Sequence, residues 1–67
     1  MENEGVLRSA RYKPGDQVRI TDGTIRWTVE RVHTHPVFGI VYDVRSLRGS
    51  IIQKVPERSL RLYVELK

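Results

Sequence analysis

The side chains of this sequence best suited to surface chemistry are its arginines, which make up nine of its twelve cationic residues. Asp22-Gly23 lies between two alternating segments, and this dipeptide favours a tight two-residue hairpin turn. Such a turn would align Arg19 with Arg26 on neighbouring strands. Because like charges opposed in a sheet repel each other, the two are either splayed and solvated or form a fork that binds an anion.

Three more arginines extend this predicted cationic stripe. Arg45 is expected beside Thr28 on the same face, whereas the directions of Arg31 and Arg48 depend on a bulge and a turn. Arginines of this kind contact phosphates without reading the base sequence, so any nucleic-acid binding would be nonspecific and salt-dependent. The formal net charge of +4 favours anionic partners, although a surplus of this size is also ordinary for a soluble small domain.

Aromatic side chains offer a second kind of site. Trp27, Phe38 and Tyr42 are the candidates for a cage around a cationic ligand or for stacking on bases. Trp27 and Tyr42 are also in phase with the apolar faces of their strands, which indicates structural burial instead. The positive net charge would repel a cationic ligand, so we favour burial.

The histidines and carboxylates could suggest a metal site or an acid-base pair. His33 and His35 share one side of a strand, but a metal would need a third ligand such as Glu30 or Asp43, and nothing in the sequence specifies it. We therefore predict surface histidines, no metal and no other cofactor. Glu30 and Asp43 could face each other, but neighbouring arginines would keep both ionised in a salt-bridge cluster.

Enzymatic, secreted and membrane classes receive no support from the motifs. No serine lies in a Gly-x-Ser-x-Gly elbow, and no glycine-rich phosphate loop is present, so we do not expect an enzyme. The sequence has no cysteine, which fits a reducing, cytoplasmic location. No apolar run approaches the roughly 18 residues that span a bilayer, and we expect no membrane association.

Period-two alternation of apolar residues predicts the elements that carry these side chains. Residues 1–11 lack periodicity and are expected to form a flexible arm, with the folded domain at 12–67. Strands are predicted at residues 17–21, 25–32, 40–46, 51–55 and 60–66. A bulge is expected near Glu30 or Arg31, and one 3₁₀ turn is expected over residues 56–59.

The predicted core follows from the same alternation. A chain of 67 residues buries only about 60% of its unfolded surface, so these side chains must sustain a modest stability. The predicted core residues are Val18, Ile20, Ile25, Trp27, Val29, Ile40, Tyr42, Val44, Ile51, Val55, Leu60, Leu62 and Val64.

Five short strands with a single 3₁₀ turn before the last predict an all-β, five-stranded small barrel. Lys13-Pro14-Gly15-Asp16-Gln17-Val18 resembles the opening of many SH3-like barrels. The segment from Tyr42-Asp43-Val44 through Gly49 to Val55-Pro56 and Leu60 is similar to the second half of Tudor-like and KOW-like modules. This superfamily includes nucleic-acid binders, peptide binders and oligomerising enzymes, so the resemblance implies a fold and leaves the function open.

A fainter resemblance concerns an enzyme family. Gly15-Asp16-Gln17-Val18-Arg19, Trp27 and Gly49-Ser50-Ile51-Ile52-Gln53 resemble the type II dihydrofolate reductases, which are tetrameric barrels with a pore-lining Val-Gln-Ile-Tyr segment. The matching stretch here is Ile52-Gln53-Lys54-Val55. It lacks the tyrosine and contains an added lysine, so the reductase activity is not expected.

Two classes of function remain. The first is an accessory nucleic-acid-binding module that uses the arginines. The second is a protein-interaction or assembly adaptor, bacterial or from a phage, that uses the loops at residues 34–39 and 56–59 and binds no nucleic acid. A homodimer formed through the last strand, with Tyr63 and Leu66 at its edge, would fit either class.

Overall fold

The computed structural model describes residues 10–64, which form one five-stranded antiparallel sheet. The elements are β1 (Gln17–Ile20), β2 (Trp27–His35), β3 (Gly39–Ser46), β4 (Ile51–Pro56), a 3₁₀ turn (Glu57–Ser59) and β5 (Leu60–Leu62). The predicted all-β class, the five strands and the 3₁₀ turn before the last strand are confirmed. Residues 1–9 of the predicted arm and Leu66 lie outside the described residues. Between residues 10 and 64, no helix has the length and apolarity needed to cross a bilayer.

The sheet order is β4-β3-β2-β1-β5, which places the first strand between β2 and the last strand. Val18, at the centre of this arrangement, pairs with Trp27 of β2 and with Leu62 of β5. The pairing of Val18 with Trp27 is the register that the sequence predicted. The pairing of β1 with β5 has the larger consequence for function, because it brings a second arginine beside Arg19.

The connection between β1 and β2 is not the predicted two-residue turn at Asp22-Gly23. The Gly23 amide donates to the Ile20 carbonyl at 2.7 Å, so Thr21 and Asp22 are the central turn residues, and Asp22 has a positive φ of 68°. β2 then begins only at Trp27. A Cβ at position 23 would lie 2.9 Å from the Ile20 carbonyl oxygen, so this glycine serves a close backbone approach.

Two bulges shift the register of the long strands and change the direction of the side chains along them. In β2 the register shifts between Val29 and Arg31, which makes Glu30 the extra residue and confirms the predicted bulge. A second shift lies between β3 and β4, where Lys54 has a φ of 59° and its amide donates to the Asp43 carboxylate at 3.0 Å. This bulge was not predicted, and it reverses the faces of the β4 residues before it.

The core lies on the inner face of the sheet, where seven predicted residues are buried: Val18, Trp27, Val29, Tyr42, Val44, Val55 and Leu60. Ile20 and Ile40 are partly buried against them.

The predicted burial of four core residues is wrong. Their side chains are largely exposed: Ile25 58%, Ile51 50%, Leu62 57% and Val64 64%. Ile25 precedes the ladder of β2, and the second bulge turns Ile51 to the outer face opposite Arg45. Leu62 is the last residue of β5 and Val64 follows that strand, so both lie at the end of an edge strand that has a neighbour on one side only.

Two buried apolar residues were missed, Tyr12 and Val41. Tyr12 packs edge-on against the Tyr42 ring, and its hydroxyl donates to the Leu60 carbonyl at 3.2 Å. Val41 is on the opposite face from Tyr42, between His33 of β2 and Pro56 of β4. The inner face alone therefore does not account for the buried surface.

A buried hydroxyl ties the start of the domain to the 3₁₀ turn. The Tyr42 hydroxyl accepts from the amides of Arg11 and Tyr12 at 3.1 and 3.2 Å and donates to the Glu57 carboxylate. Burial, followed by this bond to Glu57, raises the pKa of Tyr42 to about 12. The Arg11 amide also donates to Glu57 at 2.8 Å, so the backbone is held from Arg11 onward.

Candidate nucleic-acid interface

Three arginines lie side by side on the outer face of the sheet, and we call Arg26, Arg19 and Arg61 the arginine row. Arg19 and Arg61 are direct cross-strand partners on β1 and β5. Arg26 immediately precedes β2, and continuing the register that pairs Val18 with Trp27 by one position would place it opposite Arg19. The alignment of Arg19 with Arg26 stays a prediction, because the observed pairing of β1 with β2 ends at Val18 and Trp27 and the turn is wider than predicted.

Tyr63 shows where the Arg26 guanidinium lies. The Tyr63 amide donates to the Gln17 carbonyl at 3.0 Å, which places Tyr63 beside β1 on the side away from β2. The Arg26 guanidinium carbon is nevertheless only 5.8 Å from the centre of the Tyr63 ring. The Arg26 side chain therefore crosses the outer face of β1 from the side of β2 to the side of β5. Its guanidinium makes a cation–π contact with the Tyr63 ring there.

The charges of the arginine row are not neutralised within the described part of the chain. No carboxylate between residues 10 and 64 forms an ion pair with Arg19, Arg26 or Arg61. Nη1 of Arg61 donates to the carbonyls of Arg58 and Leu60 at 2.8 Å each, which orients this guanidinium. Its Nε and Nη2 hydrogens are left to face an incoming acceptor.

The other predicted arginines have different surroundings. Arg45 lies beside Thr28 as predicted, but its Nε donates to the Glu30 carboxylate at 2.7 Å. The acidic partner is the bulge residue itself, so the bulge supplies the charge that neutralises Arg45. Arg31 pairs with Asp43 beyond the bulge, and Arg48 lies in the turn between β3 and β4. None of these three therefore belongs to the arginine row.

No protein-family model, no curated protein and no solved structure matches this chain. Its function therefore has to be inferred from the placement of its side chains.

The rings predicted as an aromatic cage do not form a ligand-accessible opening. Tyr42 is fully buried with its hydroxyl engaged, and Trp27 is 8% exposed. Phe38 lies in the turn between β2 and β3, where its ring contacts His35 at 4.9 Å and the Arg58 guanidinium at 5.9 Å. The aromatic side chain beside the arginine row is Tyr63. The sequence analysis assigned it to the edge of a homodimer and not to ligand binding.

Arg61 and Tyr63 were missed for a common reason. Both alternate with the apolar residues of the last strand, so their outward direction was readable from the sequence. The missing information was the neighbour of that strand. Only the pairing of β5 with β1 places these two side chains beside Arg19.

The two histidines have separate hydrogen-bonding roles. His33 Nε2 lies 2.9 Å from an Asp43 carboxylate oxygen, whereas His35 Nδ1 accepts from the amides of Val37 and Phe38 at 3.1 and 3.3 Å. Within residues 10–64 there is no group of three potential metal ligands. Glu30 forms an ion pair with Arg45, and Asp43 forms a hydrogen bond with His33, so the two acids have separate partners.

Two partly buried carboxylates make the stability of the fold depend on pH. Burial alone would raise the pKa of Asp43, but hydrogen bonds from His33 and the Lys54 amide outweigh it and lower that pKa below 3.8. Burial of Glu57 is likewise outweighed by hydrogen bonds from Tyr42 and the Arg11 amide, which lower its pKa below 4.5. The folded protein therefore binds fewer protons than the unfolded chain in this range.

We expect the free energy of unfolding to be constant between about pH 5 and pH 9 and to fall as the pH is lowered from 5 to about 3. Urea unfolding at a series of pH values measures it. The Asp43→Asn variant, which removes one of the two titrating groups, should show a smaller fall over the same interval. An unfolding free energy that rises as the pH is lowered would contradict the assigned hydrogen bonds.

Proposed function

We propose that this protein is a non-catalytic, accessory nucleic-acid-binding module that contacts the phosphate backbone through the arginine row. The observation that carries this proposal is the alignment of Arg26, Arg19 and Arg61 on one face without a carboxylate partner in the described residues. Like charges on neighbouring strands repel each other, so the arrangement is stabilised when an anion binds across it.

The dimensions of the arginine row suit consecutive phosphates. Neighbouring strands are about 5 Å apart, so the backbone positions of the three arginines cover roughly 10 Å, and the Arg26 side chain extends within this span toward Tyr63. Phosphates of one nucleic-acid strand advance about 3.4 Å along the helix axis, so the row reaches two or three of them. The guanidinium of Arg61 is already oriented by two carbonyls, which reduces the entropy lost on binding.

The same geometry argues against recognition of a particular base sequence. Contacts to phosphates set the position of a protein on the nucleic acid, whereas specificity requires side chains that reach the base edges in a groove. The arginine row lies on the flat outer side of a sheet. We therefore propose binding that is largely independent of sequence.

A second candidate function, a protein-interaction adaptor, is supported by the turn between β2 and β3. Val37 and Phe38 at its tip are 78% and 48% exposed, and an exposed apolar pair of this kind favours contact with another protein. The exposed Leu62 and Val64 likewise support a homodimer through the β5 edge. In both cases the bound partner would be a protein surface and not a nucleic acid.

Binding to random-sequence DNA and RNA separates these proposals. At about 50 mM salt we expect both duplex and single strands to bind, with dissociation constants near the nonspecific range of roughly 10⁻⁴ to 10⁻⁶ M. Fluorescence polarisation of labelled strands measures this. Absence of binding at that salt concentration would reject the nucleic-acid proposal and leave the adaptor.

A further inference from the structure

An apolar groove opens beside one end of the arginine row. Its volume is about 440 Å³, within the range of small-molecule sites. Ile25, Trp27 and Leu47 provide its apolar surface, and Arg26 and Arg48 lie along its walls. Ile25 is 58% and Leu47 79% exposed, so these two side chains supply most of the accessible apolar surface, and Trp27, which is 8% exposed, supplies a small part of it.

The wall that carries Leu47 and Arg48 is held by its own turn. The Gly49 amide donates to the Ser46 carbonyl at 3.0 Å, and the Ser46 amide donates to the Ser50 carbonyl at 2.9 Å. The Ser50 amide in turn donates to the Ser46 hydroxyl at 3.1 Å. Gly49 has a φ of 90°, which this turn requires and which other residues adopt at a cost. The groove is therefore formed before a ligand arrives.

Charge and position indicate what the groove accepts. Among residues 10–64 no acidic residue lines it, and the two charged residues in its walls are arginines. An occupant with an apolar, flat body and an attached anionic group fits such a surface. Arg26 lines the groove and also belongs to the arginine row, although its guanidinium extends toward Tyr63, so the groove adjoins the row at this residue.

We propose that this groove binds one unstacked base of a single-stranded nucleic acid, with Arg48 contacting the phosphate that follows it. This inference rests on the proposed function and deepens it, because it predicts a preference for single strands. A base in a duplex is stacked and paired, so it is not free to enter. Base contacts with aromatic and apolar side chains are also tolerant of sequence, consistent with phosphate-directed binding.

Trp27 is the only tryptophan in the chain, so its fluorescence reports on this groove. The test compares oligo(dT) with an abasic strand of equal length and charge, at about 50 mM salt. We expect the oligo(dT) to bind at least about fivefold more tightly and to quench Trp27, because it alone supplies a base. The abasic strand should bind through its phosphates and leave the emission unchanged.

The Leu47→Ala variant tests the groove itself. Its affinity for oligo(dT) should fall about fivefold, and its affinity for the abasic strand should be unchanged. Val37→Ala is the matched control, since Val37 is equally exposed at the opposite end of β3 and should alter neither affinity.

Several results would overturn the inference. Equal binding of the two strands, with Leu47→Ala unaffected, would reject the base site and leave the phosphate-binding function standing. Failure of both strands to bind would reject the function and the base site together. Quenching of Trp27 by a capped Glu-Leu-Glu peptide, but not by oligo(dT), would assign the groove to an acidic peptide.

Discussion

Replacing Leu60 with alanine should lower the free energy of unfolding by about 2 to 5 kcal/mol. Leu60 is fully buried at the start of β5, pairs with Ile20 of β1, and its carbonyl accepts the Tyr12 hydroxyl. Truncation would leave a cavity where the last strand joins the core. A domain of this size has a total stability of only about 3 to 5 kcal/mol, so much of the variant should be unfolded at 25 °C.

Leu62→Ala provides a matched control in the same strand. Leu62 is the same residue type two positions later but is 57% exposed, so its truncation should change stability by no more than about 0.5 kcal/mol. Urea unfolding followed by circular dichroism measures both variants. Equal losses of stability for Leu60→Ala and Leu62→Ala would show that the core is not where the structure places it.

Replacing Arg19 and Arg26 together with serine should weaken binding to duplex DNA roughly 100-fold at about 50 mM salt. Each lost phosphate contact removes the release of nearly one counterion, and this contribution is large at low salt. Neither side chain forms a hydrogen bond or an ion pair with another residue between 10 and 64. The thermal unfolding midpoint should change little, because loss of the cation–π contact between Arg26 and Tyr63 is offset by the reduced repulsion of Arg19.

A second double variant, Lys13→Ser with Arg45→Ser, removes the same number of positive charges. Lys13 is paired with Asp16 at 3.3 Å and Arg45 with Glu30 at 2.7 Å, so both cations already have acidic partners. We expect affinity for DNA to fall less than about fivefold. If the two double variants lose affinity equally, net charge alone determines binding, and the arginine row has no special role.

The strand pattern was predictable because it depends on local alternation and turn residues. The bulge at Glu30 was also predictable from the sequence. Val29 and Val32 are an odd number of positions apart, so both can face the core only if the strand contains one extra residue between them. The bulge at Lys54 left no such signal, because a lysine with a φ of 59° is not a residue that the rules for turns select. As a result the outward direction of Ile51 could not be anticipated.

The candidate site was only half predictable. The register of the first hairpin placed Arg19 beside Arg26 from sequence separation alone. Arg61 and Tyr63 join them through a pairing between the first and last strands, which is separated by about 40 residues and has no local signal. Likewise, the neutralisation of Arg45 by Glu30 depends on the direction in which the bulge turns that carboxylate.

The dependence of DNA affinity on salt concentration tests the arginine row most directly, because its slope counts the phosphates that are contacted. The logarithm of the association constant should decrease linearly with the logarithm of salt concentration for the unmodified protein. For the Arg19→Ser, Arg26→Ser variant the slope should be shallower by about 1.8. An unchanged slope would contradict the central proposal, because it would mean that neither arginine contacts a phosphate.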